Sequence, residues 1–339
     1  MKDLRIWFML RQCWLMGILC LPAACDSSGE KNYAENILHS PPFAAVSDSI
    51  RRFPDDATLF ARRALLLSQH DHHELATADY RKAYELQPVE PMAMQYVNNL
   101  LLVNRHKDAI RFLQECIERW PSNTDMHRRL SEIYQETGQT AKAVQQYDVL
   151  LQQDSLDFEA WYNKAMLLTQ LRDTAGAVLA LERSYAIQPA YFNGSTLAGY
   201  YAHTLDPRTP ALCDELIAKD AAGERPEAHF IKGLYYSYKE QYDSAIAQFN
   251  EALRRDWRFA DAHVEKGIVQ FEQKQYDAAL ETFITAATVA NTNADAYYWM
   301  GRCYEVTGDK EQALINYERA LALDRHFDEA REGLRRVRS

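Results

Sequence analysis

Slid against itself by 34 residues, this chain meets its own pattern. Gly233, Gly267 and Gly301 fall in one column, Ala245, Ala279 and Ala313 in a second, Phe249, Phe283 and Tyr317 in a third, and Ala252, Ala286 and Ala320 in a fourth. A fixed period of this size marks an array of stacked supersecondary units. The residue types explain the stacking: a small residue at each crossing lets two helices approach, and the large ones fill the gap to the next pair. One pair cannot bury both of its faces, so the copies build a single continuous core, and the two domains that length alone suggests are set aside.

The same columns run upstream through Trp161, Ala165, Leu168, Ala177, Leu181 and Pro189, then Leu130, Tyr134, Gly138, Ala143 and Tyr147. Before them come Val97, Leu100, Ala109, Leu113 and Pro121, and first Phe60, Ala64, Leu67, Ala76, Tyr80, Ala83 and Pro88. Eight units begin at Ala57, Glu90, Thr124, Phe158, Phe192, Pro226, Ala260 and Ala294. The last, ADAYYWMGRCYEVTGDKEQALINYERALALDR, resembles the tetratricopeptide repeat (TPR) at every key place but the final one. Tyr297 takes the Trp position, Met300 and Gly301 the Leu-Gly pair, Tyr304 the Tyr, Gly308 the turn, Ala313 and Tyr317 the second helix, Ala320 the close contact. The resemblance implies an all-α fold, a right-handed α-solenoid of helix-turn-helix units whose first helices line a concave face.

Residues 1–24 read as a signal peptide, with Lys2, Arg5 and Arg11 ahead of an uncharged apolar stretch from Cys13 to Ala24. Arg11 and Gln12 break that stretch well short of the roughly 20 apolar residues a spanning helix needs. The small residues before Cys25 resemble a bacterial lipobox, which makes Cys25 the expected lipidation site and the cell envelope the expected location, with soluble export the alternative. Residues 25–40 form a tether, 41–56 an N-terminal capping half-repeat, 57–191 repeats 1–4, 192–225 a degenerate repeat 5, 226–327 repeats 6–8, and 328–339 a charged capping helix. In repeat 5 only Gly199, Ala211 and Ala218 keep the signature, among Gly194, Pro207, Pro210 and Gly223. It is a worn repeat or a hinge between two blocks.

A net charge of −10 and the absence of a basic stripe argue against nucleic acid as a partner. Beyond the signal region the cysteines are Cys116, Cys213 and Cys303, odd in number and without a CxxC, which suits small buried hydrophobes. No GxxxxGK[ST], HExxH, GxSxG or EF-hand loop occurs, so neither an enzyme nor a cofactor is expected. The cluster QHDHHE at 69–74 falls in a turn, where loose geometry favours solvated side chains over a metal site.

The family's geometry names the candidate groove. From the C-terminus backwards it holds Tyr298, Trp299 and Arg302, then Val264, Ile268 and Phe271, then Phe230, Leu234 and Tyr238, then Thr196, Tyr200 and His203, then Tyr162, Asn163 and Met166, and last Arg128 and Arg129 with Glu132. The C-terminal half is aromatic and the third repeat charged. An exposed aromatic stripe marks a partner site, and two or three ring anchors set against the association penalty give an affinity around micromolar for a short segment. The chaperone-carboxylate clamp of the family is not transferred, because Ala61 and Leu65 occupy its places and only Asn98 remains in the next unit, although Arg128 and Arg129 suit a carboxylate. The expected function is a lipid-anchored scaffold that holds a protein or peptide segment of an envelope complex. A second copy of the chain, or its own N-terminus, is the alternative occupant, which would make a homo-oligomer or a self-filled groove.

Overall fold

The structure, a computed structural model, describes residues 27–338. The expected signal peptide at 1–24, the expected lipidation site Cys25 and the last residue of the C-terminal cap lie outside the described residues. All regular structure among the described residues is helical, and the helices divide into two compact units, the first ending at Arg119 and the second beginning at Trp120. The single continuous core expected from the period is therefore corrected.

The first unit contains α1 (Ser27–Leu38), α2 (Ala44–Arg52), α3 (Ala57–Gln69), α4 (His73–Leu86), α5 (Glu90–Leu102) and α6 (His106–Arg119). The expected tether is thus helical over most of its length. Phe43, Val46 and Ile50 are buried, and the last two pack α2 on Phe60 of α3 and Ala83 of α4. Arg63 forks onto Asp79 at 2.6 and 2.7 Å, a half-buried pair that closes the α3–α4 crossing. The histidines of QHDHHE are taken up by contacts within the fold. His70 and His72 set their rings edge-on to Phe43, while His73 hydrogen-bonds Ser68 at 3.1 Å and its carbonyl accepts from the Asn99 amide at 2.8 Å.

The second unit is built of pairs: α7 (Thr124–Glu136) with α8 (Thr140–Gln153), α9 (Phe158–Gln170) with α10 (Thr174–Ile187), and α11 (Tyr191–His203) with α12 (Thr209–Lys219). Then come α13 (Glu227–Tyr238) with α14 (Tyr242–Arg255), α15 (Ala260–Glu272) with α16 (Tyr276–Val289), α17 (Ala294–Thr307) with α18 (Lys310–Leu323), and the closing α19 (Asp328–Arg338). Side-chain caps start several of these helices. Asn123, Asp157 and Asn293 accept from the backbone N–H three residues on, which satisfies one of the donors a helix N-terminus leaves free. Each first helix from α3 to α17 ends in a residue of positive φ, yet only Gly138 and Gly308 of these are glycine; the others are Asp71, Asn104, Arg172, Leu205, Glu240 and Lys274.

Within a pair, the ring of the second helix sits on the glycine of the first. A Cβ added at Gly233, Gly267 or Gly301 would stand 2.6, 2.5 or 2.8 Å from the ring of Phe249, Phe283 or Tyr317. That is the physical content of the repeated columns. The fifth pair is worn in sequence and continuous in packing: one cluster runs from Ala165 and Leu181 through Leu197, Tyr201, Cys213 and Leu216 to Ile231 and Tyr235. The fifth pair thus shares its core with the pairs on either side. Cys116, Cys213 and Cys303 are free and buried, and burial pushes the thiols of Cys213 and Cys303 up to about 12.

Candidate functional site

From α11 onward successive first helices touch one another, α11 on α13, α13 on α15 and α15 on α17, in closer approach than successive second helices make. The first helices therefore form the inner side of this stack, and the candidate residues belong to it. They divide into two groups.

The C-terminal group is closed. Val264, Ile268 and Phe271 are buried, and so is Tyr298, only 8% exposed. The expectation that these rings stand open is corrected, because bulky side chains on α15 and α17 fill the space between the two helices. Trp299 wedges its indole against Phe271 at 5.3 Å and stacks on Phe283 at 5.9 Å. Tyr298 turns the other way, onto Phe327 at 5.0 Å, and Tyr297 lies under Arg319 at 4.3 Å. Tyr298 also meets Trp299 edge-on at 5.3 Å, so all three consecutive rings are committed to contacts within the fold. Arg302 lies over Phe271 and Trp299 at 5.4 and 5.8 Å and donates to the Tyr298 hydroxyl at 3.2 Å. Burial works against its charge, but that hydrogen bond, Tyr317 and Glu305 hold its pKa above the ordinary value.

The arginines of α7 are engaged too. Arg128 is paired with Asp157, the cap of α9, and Arg129 reaches Glu132 at 2.7 Å. Each has an internal carboxylate, which removes the reason to expect them to capture one from a partner.

The remaining group, on α9, α11 and α13, is open. Phe192 is 46% exposed and meets Tyr162 edge-on at 5.0 Å. Two turns further, the Tyr200 hydroxyl is hydrogen-bonded to Thr169 of α9. At the far end exposed His203 stands edge-on to Tyr238 of α13 at 6.0 Å. Phe192, Thr196, Gly199 and His203 follow the spacing that puts residues on one helix face, and a Cβ added at Gly199 would meet nothing within 4 Å. Asn163 is half-buried; Phe230 and Leu234 are half-buried against the α14 ring Phe249, with Phe230 also 4.8 Å from Phe259. Alongside, Tyr191 binds Glu227 at 3.3 Å, and burial together with that carboxylate pushes its hydroxyl up to about 12.

Sequence reasoning passed over Phe192 and Gly199 as parts of this face. The signal was present: α11, YFNGSTLAGYYAH, holds no Asp, Glu, Lys or Arg, unlike the other first helices of the unit.

Profiles described as tetratricopeptide repeat match residues 100–171, 158–191, 230–291 and 294–327, together more than half of the chain. The chain belongs to the tetratricopeptide repeat family. Its fold is similar to that of PilW, a type IV pilus biogenesis factor, at 17% identity and a TM-score of 0.54 over 64% of this chain and 99% of that one. It is also similar to a chain of the APC/C hetero-tetramer Cut9–Hcn1, at 15% identity and a TM-score of 0.51 over 88% and 60%. A third likeness is to the C-terminal part of a TPR repeat-containing protein from Cytophaga hutchinsonii, at 15% and 0.50 over 71% and 98%. No curated protein matches the chain.

Proposed function

We propose that this protein is an exported TPR scaffold, held to a membrane of the cell envelope through lipid on Cys25, that binds an uncharged segment of another envelope protein on the α9–α11–α13 face. The observation that carries the binding part is the α11 stripe: exposed Phe192 and His203 at its ends, half-buried Thr196 and Gly199 between them in one line, with Tyr162, Tyr200 and Tyr238 beside it. A line of half-open rings around an unfilled glycine gives a partner side chain a place to enter, and aromatic residues dominate interface energetics. The order of charges, apolar stretch and small residues before Cys25 supports the export and anchoring part. Likeness of fold to a pilus biogenesis factor is compatible with a role in envelope assembly.

The test is photo-crosslinking in the native envelope, with a photoreactive residue placed at Tyr200. A single cross-linked species that disappears in the Phe192→Ala, Tyr238→Ala double variant supports the face; cross-linking that survives in that variant removes it. For the anchor, Cys25→Ser should move the protein from the membrane to the soluble fraction, and retention in the membrane would rule lipid attachment out.

A further inference from the structure

Two seams of the second unit are closed by an ion pair between a first helix and the second helix before it. Lys164 of α9 reaches Asp148 of α8, and Lys232 of α13 reaches Asp214 of α12, both at 2.6 Å. Lys266 of α15 stands 34 residues after Lys232, at the same place of its own helix. The residue of α14 that corresponds to Asp148, the ninth of its helix, is Asn250. Gln248, whose offset from Lys266 matches that of Asp214 from Lys232, is engaged by His229 at 2.9 Å. Lys266 is half-buried, it takes part in no ion pair among the described residues, and burial alone draws its pKa below the ordinary lysine value.

The surroundings suit a ligand. His263, one turn before Lys266, donates from Nε2 to the Trp257 carbonyl at 2.9 Å, which ties the α14–α15 turn to the helical turn that leads to Lys266. Trp257 itself is 64% exposed, and the Arg258 guanidinium lies 5.6 Å from the centre of its ring. The carboxylates nearest in sequence are Asp261 and Glu265, on the same helix; Glu265 precedes Lys266 directly and leaves the helix about 100° away from it. A half-buried cation gains most from a counter-ion that arrives with its own desolvated surroundings, and an exposed Trp is the residue type that most often anchors an interface.

We propose that the α14–α15 seam binds an acidic segment of a partner protein, a carboxylate entering beside Lys266 and an apolar side chain packing on Trp257. The chemistry is read from the neighbouring seams, where a carboxylate oxygen is what occupies this place. The site is separate from the α11 face, and the two stand or fall independently.

The probe is a fluorescently labelled acetyl-Leu-Glu-Phe-Asp-amide, titrated into the full chain and followed by anisotropy beside its Leu-Gln-Phe-Asn isostere. The acidic probe should bind at least tenfold tighter than the isostere. Lys266→Met and Trp257→Ala should each weaken it at least fivefold. Asn250→Asp supplies the counter-ion from within, as in the other two seams, so it should weaken the probe equally while the melting temperature holds or rises. Equal binding of the two probes, no binding of either, or an Asn250→Asp variant that binds as the parent does would each overturn the proposal.

Discussion

Gly267 of α15 lies under the ring of Phe283 of α16 so closely that a Cβ built on the glycine would stand 2.5 Å from the ring carbon Cε1. Neither partner has room to give, since Phe283 is fully buried and Trp299 stacks on its other side at 5.9 Å. Interiors packed to this density tolerate an added methyl poorly. Gly267→Ala should therefore destabilise the fold by about 1–3 kcal/mol, the usual range for overpacking. Gly199→Ala, inside α11 where a Cβ meets nothing within 4 Å, is the control and should stabilise by about 0.5–1 kcal/mol, the helix-propensity gain of Ala over Gly. Urea unfolding followed by circular dichroism measures both.

The turns after the first helices give a prediction of opposite sign. Glu240 and Lys274 hold φ of 59° and 62°, a conformation that costs a residue with a Cβ roughly 1–2 kcal/mol. Glycine removes that strain and loses about 0.5–1 kcal/mol to its greater freedom when unfolded. Lys274→Gly and Glu240→Gly should each stabilise by about 0.5–1 kcal/mol. Gly308→Ala, at φ 91°, should destabilise by about 1 kcal/mol or more. Melting temperatures of the three variants decide the matter.

Much of this architecture was legible in the sequence because its constraints are local. The Gly233, Gly267 and Gly301 column and the Phe249, Phe283 and Tyr317 column are two halves of one contact, repeated, so periodicity alone exposes them. The state of the inner face was not legible. Whether Phe271 and Tyr298 stand open depends on how far apart α15 and α17 lie and on Trp299 entering between them, a distance that no spacing within one helix records. Arg128 shows the same limit: its partner Asp157 is a cap residue in a different pair, 29 residues on. The division between Arg119 and Trp120 likewise leaves no mark in the repeat columns, which continue through it.

The C-terminal cap should loosen in acid. Arg336 of α19 forks onto Glu305 of α17 at 2.7 and 2.9 Å, and the Tyr317 hydroxyl donates to the same carboxylate. The Arg336 hydrogen bond, aided by Tyr317, holds Glu305 below its ordinary value of 4.5 against the opposing effect of burial. A carboxylate whose pKa is lower in the folded state takes up more protons when unfolded. Its contribution is therefore complete above 4.5 and is lost as pH falls through the folded value. Glu305→Gln should cost about 1–2 kcal/mol at neutral pH, the scale of a hydrogen bond to a charged group. The gap between parent and variant should narrow as the pH falls below 4.5; a gap that stays constant on acidification would show that Glu305 does not hold the cap through its charge.

Trp299 and Phe192 separate stability from binding, although both are aromatic residues of first helices. Trp299 is wedged between Phe271 and Phe283, so Trp299→Ala opens a cavity and should cost about 3–5 kcal/mol. Phe192 gives its ring mainly to Tyr162 and to water, and Phe192→Ala should cost less than about 1.5 kcal/mol, the scale of one edge-to-face pair. The order reverses for the partner segment on the α9–α11–α13 face. Phe192→Ala should weaken binding by roughly 2 kcal/mol, about thirtyfold, as expected for a ring that acts as a hot spot. Trp299→Ala, measured well below its melting temperature, should leave that affinity nearly unchanged, because its contacts belong to α15, α16 and α17. Chemical denaturation and titration of the cross-linked partner's segment, run on the same two variants, test the pair together. If Trp299→Ala abolished binding while still folded, the contact surface would lie at the C-terminal end of the stack rather than on α11.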